Sequence, residues 1–598
     1  MASTALFGGS NDEGPAPQRA RSHPTLAVDV QLLGESGLVD IPAYRVAADL
    51  SPAIDPIEHY LLHGWRNGFE PRAETRINWQ YPYFCSMGLD DAPSLTFLTL
   101  RAAGCATFAN RAQAATAAEI VRNSDLFDSG GYAARNEIGD LDPALHYVIV
   151  GEAMGLAPSQ NFDPIYYRAR YPNAAQARQV QLLDYIRIGC GKGRRPVSVV
   201  AGRIFDRSPI DAGRETILVV AHEATRTGAP ILAYNIAKWL HKKYNVVSLL
   251  LGGGEIASAF ADVSDVVVGP FRREDRNKVE AKYVIDRLLD SYEFSYAIVN
   301  SIDSRVVLQP LAHAFVPTIA LVHEFASYLS PLGEMSRSLR WATEIVFSAE
   351  RVANSMLAES STAPALKVHV VPQGPSELPF ALDRSENARD GAVLRSAMRP
   401  PGWEEAFVVL GCGTIYARKG VDLFIACAAA VAASKPAKPI RFVWIGQRLP
   451  PEIDAGYYPR LMKQLRRSGA ADSVAILEEV TDLEPAYACA DAFFLSSRLD
   501  PLPNVAIDSA LRGLPIISFQ DCGGISDILA TDTTASAGVV PDFRAAAGLI
   551  LRLAADERMQ KEIGAATREL AQARFDMGRY IDRLDELGRN AAAAMPLD

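Results

Sequence analysis

The sequence predicts an α/β protein: two consecutive Rossmann-like, doubly wound parallel-sheet domains that follow an all-α repeat region. Three observations carry this. From Thr216 onward, short β-branched apolar runs alternate with segments of helical period. The alternation breaks across a stretch rich in proline and charge, then restarts at "AFVVLGCGTIYARKG". Ahead of both sets, glycine and proline recur at fixed spacing, the mark of a repeated supersecondary unit.

The 598 residues are enough for several domains, and 49% apolar against 22% charged residues is ordinary globular composition. The formal net charge of −10 comes from mixed acids and bases, which gives no electrostatic platform for nucleic acid. The seven cysteines lie far apart without a C-x-x-C pair, as in a cytoplasmic protein with reduced thiols. Residues 1–26 have no uninterrupted apolar core and read as a disordered tail rather than a secretory signal. No window has the length of apolar sequence that a transmembrane helix needs, so the expectation is a cytoplasmic protein, with peripheral contact at the inner membrane face left open.

Residues 27–200 form the repeat region. "DPIEHYLLHGWRNGFEP" from Asp55 and "DPALHYVIVGEAMGLAP" from Asp142 share one pattern, and "QLLDYIRIGCGKGRRP" from Gln181 keeps its Tyr, glycines and Pro. The triplets Gly64/Gly68/Pro71, Gly151/Gly155/Pro158 and Gly189/Gly193/Pro196 have the same internal spacing. "LFDSGGYAARN" and "NFDPIYYRARYP" precede the last two copies, so each unit reads as Phe-Asp, a short Tyr-bearing helix, a second helix ending at Gly, and a turn closed by Pro. A degenerate unit fits Trp79 to Gly104. These repeats resemble modules that precede glycosyltransferases in bacterial surface-polysaccharide systems. His59, Tyr60, His146 and Tyr147 read as packing between short helices, and the repeats offer a route to oligomerisation.

The first α/β domain spans 214–375. "TILVVAHE", "NVVSLLLG", "YAIVNS", "PTIALVHEF", "EIVFS" and "KVHVVPQG" are its strand runs, with "ILAYNIAKWLHKKY" and "VIDRLLDSYEF" as helices between them. Residues 376–404 read as a linker. The second domain spans 405–598, with strand runs at "FVVLGC", "RFVWIGQ", "SVAILEEV", "DAFFLSS" and "PIISFQ" and a C-terminal helix. In such a pair the ligand belongs outside the carboxyl ends of the strands, between the two sheets.

The strongest chemical signal is "DAFFLSSRLDPLPNVAIDSALRGLPIISF" from Asp491. A strand ends near Ser496, and a loop carries Asp500, Leu502 and Pro503. Asn504 can cap the following helix, in which Val505 and Asp508 fall early. The helix start offers N–H groups and a positive dipole end to a diphosphate. Two acids at this spacing would ordinarily be loop and helix-start residues, and only the whole context lifts them above that.

With "RGLPII" after it, this segment resembles the retaining glycosyltransferases of family 4, which have the two-domain GT-B fold. The resemblance places Asp500 against donor-sugar hydroxyls and Asp508 on the nucleotide ribose, with Asp standing at 508 where the family has Glu. It carries over to "LGCGTIYARKG", where Arg418 and Lys419 would meet the donor diphosphate, although Thr414 stands at the family's usual early Arg. It also covers "AHEATRTGAPILAYNIA", where Gly228 permits close backbone approach and Arg226 could reach phosphate or acceptor, and "LVHEF", where His323 and Glu324 would lie near the sugar. A lone His, an Arg-Lys pair or a Gly turn would each be unremarkable elsewhere in an α/β fold.

The expected activity is therefore metal-independent transfer of a hexosyl or deoxyhexosyl group, with retention. The donor would be a nucleotide-diphosphate sugar and the acceptor a glycan or glycoprotein hydroxyl, with no bound cofactor. A nucleotide-sugar epimerase or a phosphorylase on the same fold, and a non-catalytic glycan-binding scaffold, are the competing readings.

Overall fold

The computed structural model describes residues 26–175, 179–200, 210–359, 366–377, 379, 384–450 and 456–595. All but the last residue of the expected N-terminal tail lies outside this set. The chain divides into two compact units, residues 1–203 and 204–598.

The first unit is all helical and built on one recurring device. Asp40, Asp128 and Asp163 each cap a short helix, their carboxylates accepting from the N–H groups of Ala43, Gly131 and Tyr166. The backbone N–H of each Asp donates to the carbonyl of Pro71, Pro158 or Pro196 at 2.9–3.1 Å, closing each repeat on itself. One helical turn after the cap stands a tyrosine (Tyr44, Tyr132, Tyr167) whose hydroxyl meets His59 Nδ1 at 3.0 Å, His146 Nδ1 at 2.8 Å or Asp184 Oδ2 at 2.7 Å. The second helix of each repeat widens to π geometry at Tyr60–Gly64, Tyr147–Gly151 and Tyr185–Gly189. Glycine is required where it ends: a Cβ on Gly64, Gly151 or Gly189 would come within 1.7–2.4 Å of the tyrosine oxygen. The opening helix of the first repeat, Ile41–Ala47, lies outside the glycine and proline pattern. Its signal is the Asp-to-Tyr spacing that all three repeats share.

The second unit holds two all-parallel sheets. The first comprises β1 (Thr216–Ala221), β2 (Asn245–Leu250), β3 (Val266–Val268), β4 (Tyr296–Asn300), β5 (Thr318–Val322), β6 (Glu344–Phe347) and β7 (Val368–Val370), in the order 3-2-1-4-5-6-7. The second comprises β8 (Phe407–Cys412), β9 (Ile440–Ile445), β10 (Val474–Leu477), β11 (Ala492–Leu495), β12 (Ile516–Phe519) and β13 (Val539–Val540), in the order 10-9-8-11-12-13. The central strands β1, β2, β4, β5, β8, β9 and β11 are buried along almost their whole length, which is why they read as continuous Val/Ile/Leu/Phe runs. Each sheet has its own core. One centres on Ile217, Val219, Ile298 and Leu321, the other on Val409, Phe442, Phe493 and Ile517.

Two boundaries differ from the sequence reading. The expected linker contains helix Arg384–Met398, which packs on the second lobe through Leu394 and Met398. The final helix, Met577–Ala593, does not stay with the second lobe. It returns to the first sheet, burying Tyr580, Ile581, Leu584 and Leu587 in that core. Asp585 fixes it there by accepting from Tyr244 Oη at 2.6 Å, Tyr296 Oη at 2.8 Å and Lys243 Nζ at 2.7 Å.

Candidate active site

The carboxyl ends of the two sheets face one crevice, which side chains bridge from both lobes. Tyr328, just after β5, donates to the carbonyl of Leu499 at 3.2 Å, and its ring lies 5.4 Å from the guanidinium of Arg418. Gln373, after β7, donates to Leu502 O and to Asn504 Oδ1, both at 3.2 Å. Arg351 grips Asp527 at 2.7 Å and Asp521 at 2.8 Å, and Arg226 reaches Thr481 Oγ1 at 3.3 Å.

On the second-lobe side, three of the expected residues meet. Asp500 is buried, with Lys419 Nζ at 2.6 Å, Arg418 Nη1 at 3.3 Å and the Ser497 hydroxyl at 3.0 Å. Burial alone would raise its pKa, but the two cations and their hydrogen bonds outweigh that and hold it below the ordinary carboxylate value. Two cations against one carboxylate leave the cluster net positive. Arg418 is further restrained by donating to Tyr416 Oη at 2.6 Å and to Leu499 O at 2.8 Å, while Lys419 lies along the Gly413 loop. Glycine makes the geometry possible at two places. Gly420 adopts φ +68° with its Cβ position 1.9 Å from Ser496 O, and a Cβ on Gly523 would lie 1.6 Å from Asp500 O.

The helix after Asp500 departs from the sequence reading in one respect. Pro503 occupies the cap position, so no side chain caps the helix, which starts at Asn504. The Asn504 amide instead turns to the first lobe, donating to Ser376 Oγ at 3.2 Å, and Gly228 leaves room for it: a Cβ there would stand 3.3 Å from Asn504 Nδ2. The uncapped start keeps the helix's positive end open to the crevice. Leu502 and Val505 place their side chains in or against the second-lobe core. Asp508 sits apart from the Asp500 cluster. Its nearest cation, Arg512, is 4.0 Å away and bound to Glu484. Its pKa is pushed up to about 6, raised by burial and by Glu484 and only partly offset by Arg512.

On the first-lobe side, His323 Nε2 lies 2.9 Å from Asn300 Oδ1. The orientation of that amide is fixed, because Asn300 Nδ2 donates to Ala229 O at 2.6 Å. His323 must therefore carry its proton on Nε2, which leaves Nδ1 as an acceptor, and that atom is buried without a partner. Burial, with His222 nearby, lowers the His323 pKa to about 4, so the ring is neutral. Glu324 is committed to the fold. Its carboxylate accepts from Ser301 Oγ at 2.6 Å, from His323 N at 3.0 Å and from Ile302 N at 3.4 Å, bracing Ser301 at φ +69°. Asn300, Tyr328 and Ser497 carried no sequence signal of their own; only their places at or after strand ends could have marked them.

Residues 406–556 match the family model described as Glycosyl transferases group 1. That segment is about a quarter of the chain and contains Arg418, Lys419, Asp500 and Asp508. Among solved structures, the chain is similar to HepE of Anabaena in complex with UDP and glucose, and with UDP-glucose. Each comparison gives a TM-score of 0.50 at 17% identity, covering 62% of this chain and 98% of that one. A sucrose-phosphate synthase from Thermosynechococcus elongatus is similar at a TM-score of 0.48 and 18% identity, covering 64% of this chain and all of that one. No curated protein matches the chain. The architecture is the GT-B fold, preceded by an all-helical region. Among the described residues no helix is long and apolar enough to cross a membrane, and no group of three or more His, Cys, Asp or Glu side chains could hold a metal ion.

Proposed function

We propose that the chain is a retaining glycosyltransferase that moves a sugar from a nucleotide-diphosphate donor to an acceptor hydroxyl, the acceptor being a bacterial glycan or glycoprotein. The observation that carries this reading is the convergence of Arg418, Lys419 and Asp500 beside an uncapped helix start, inside the segment that matches a glycosyl transferase model. That the HepE structures are complexes with UDP and glucose and with UDP-glucose supports a nucleotide-sugar donor.

A donor diphosphate would answer the positive charge of Lys419 and Arg418 that Asp500 offsets only in part, and would meet the helix dipole at Asn504. Lys419 and the helix amides then stabilise charge as it builds on the leaving phosphate. Asp500, freed from one cation, can accept from sugar hydroxyls. Asp508 is half-shielded and short of hydrogen-bond donors, which suits acceptance from two ribose hydroxyls. His323 Nδ1, an acceptor without a partner, suits a sugar hydroxyl. The leaving diphosphate assists deprotonation of the acceptor on the same face, so retention needs no enzyme nucleophile. Closure of the lobes across the Tyr328 and Gln373 contacts would exclude water.

The test is nucleotide release over a panel of nucleotide-sugars, with and without glycan acceptors, alongside calorimetric nucleotide binding. Release with one donor supports the reading. Binding without release from any donor, in any acceptor mixture, would favour a glycan-binding scaffold.

A further inference from the structure

The carboxyl edge of the first sheet carries arginines that the proposed reaction has not used. The loops after β1, β2 and β3 lie side by side there. Ala224 N donates to Gly253 O at 3.2 Å, Ile256 N donates to Ala224 O at 3.0 Å, and Gly253 lies over Pro270. Arg276, from the β3 loop, sets its guanidinium against Gly252. A Cβ on that glycine would stand 1.7 Å from Arg276 Nη2 and 2.4 Å from Cζ, so the glycine is what admits the arginine. Arg276 Nε is buried without a hydrogen-bond partner, and no carboxylate comes within ion-pair distance of this guanidinium among the described residues. A guanidinium held partly out of water with no counter-ion is unfavourable unless a ligand supplies the charge. Arg226, from the β1 loop, has only the neutral Thr481 hydroxyl as a side-chain partner among the described residues, and that contact spans the crevice. The edge therefore opens toward the space between the lobes.

We infer that Arg276, seated on Gly252, and Arg226 form an oxyanion site on the first lobe, and that the acceptor is a molecule carrying a phosphoryl or carboxylate group. This rests on the transferase reading for the word acceptor, but the anion site itself does not. Arg276 presents a planar fork that matches either oxyanion with paired hydrogen bonds, and the neighbouring Gly253 and Gly254 are exposed and add no side chain beside it. A neutral acceptor would leave the Arg276 fork unanswered.

The experiment is calorimetric titration of the full chain with inorganic phosphate, with glucuronate and with neutral glucose. Wild type is compared with Arg276→Gln and Arg276→Lys, and UDP is titrated in parallel. Arg276→Gln is expected to lose at least tenfold in affinity for phosphate or glucuronate, and the anion affected names the source. Arg276→Lys should retain part of that affinity, UDP binding should stay within twofold, and glucose should bind all three proteins alike. Arg276→Lys keeps the charge and secures the readout if Arg276→Gln proves unstable. Equal anion binding by all three proteins, or no anion binding by wild type, would overturn the site. Failure of UDP and every other nucleotide to bind wild type would count against the transferase reading and leave the anion result standing.

Discussion

Replacing Asp508 with asparagine should stabilise the empty protein while weakening its hold on nucleotide. The Asp508 carboxyl has a folded pKa of about 6 against an ordinary value of 3.8, so the folded chain binds this proton more tightly than the unfolded chain does. Stability must therefore fall as pH rises from about 4 through about 6, and stay lower above. A shift of roughly two units corresponds to about 3 kcal/mol at neutral pH. With 23% of the side chain exposed, solvent screening brings the expectation to about 1–3 kcal/mol. The asparagine side chain has the same shape without the buried charge. Urea denaturation at about pH 8 should give Asp508→Asn a higher midpoint at unchanged slope, and at about pH 4, where Asp508 is protonated, the two proteins should coincide. Nucleotide affinity should move the other way, by about 10- to 100-fold, since hydrogen bonds to a charged acceptor contribute about 1.5–3 kcal/mol. Equal midpoints at pH 8, or an equal gain at both pH values, would refute the account of this carboxyl.

Lys419→Ala should lower turnover by about 100-fold or more with the circular dichroism spectrum unchanged; near-normal rates would remove Lys419 from the chemistry. Asn300→Asp should raise the His323 pKa from about 4, because a carboxylate would pair with the imidazolium and turn Nδ1 from acceptor to donor. Imidazole NMR titration reads the shift directly, and an unmoved pKa would contradict the fixed tautomer. Asp585→Ala removes the acceptor for two tyrosine hydroxyls and Lys243, and should cost about 3–5 kcal/mol in denaturant unfolding. A loss under about 1 kcal/mol would mean the final helix is held by its apolar face alone.

The architecture was legible because the residues that build it are also the ones that set the pattern. A parallel strand buried on both faces has to be an uninterrupted apolar run, so Thr216–Ala221 and Phe407–Cys412 stand out in the sequence. Arg418, Lys419 and Asp500 were legible because they sit where strand, loop and helix meet. What the sequence could not convey was which partner each of them had found. That Asp500 pairs with Lys419 depends on an 81-residue separation closed by the β8–β11 pairing. The role of Asn300 was hidden because its amide acts through His323 and Ala229, which lie on other elements. Asn504 resembles a cap because its residue type favours that position, but Pro503 starts the helix one residue earlier and tertiary contact with Gln373 claims the amide. Helix Arg384–Met398 gives little sequence signal because it is mostly polar and charged, with few apolar residues to mark a period.

The return of helix Met577–Ala593 to the first sheet bears on how the molecule is made. On the ribosome the first sheet emerges some two hundred residues before the strip of Tyr580, Ile581, Leu584 and Leu587 that packs on it, and Tyr296 precedes Asp585 by 289 residues. Until then the part of that core which helix Gly228–Leu240 leaves open lacks its native cover. The two lobes are thus not separable modules that could be expressed and studied apart. A fragment ending before the last helix would present an uncovered hydrophobic surface and depend on chaperones or aggregate.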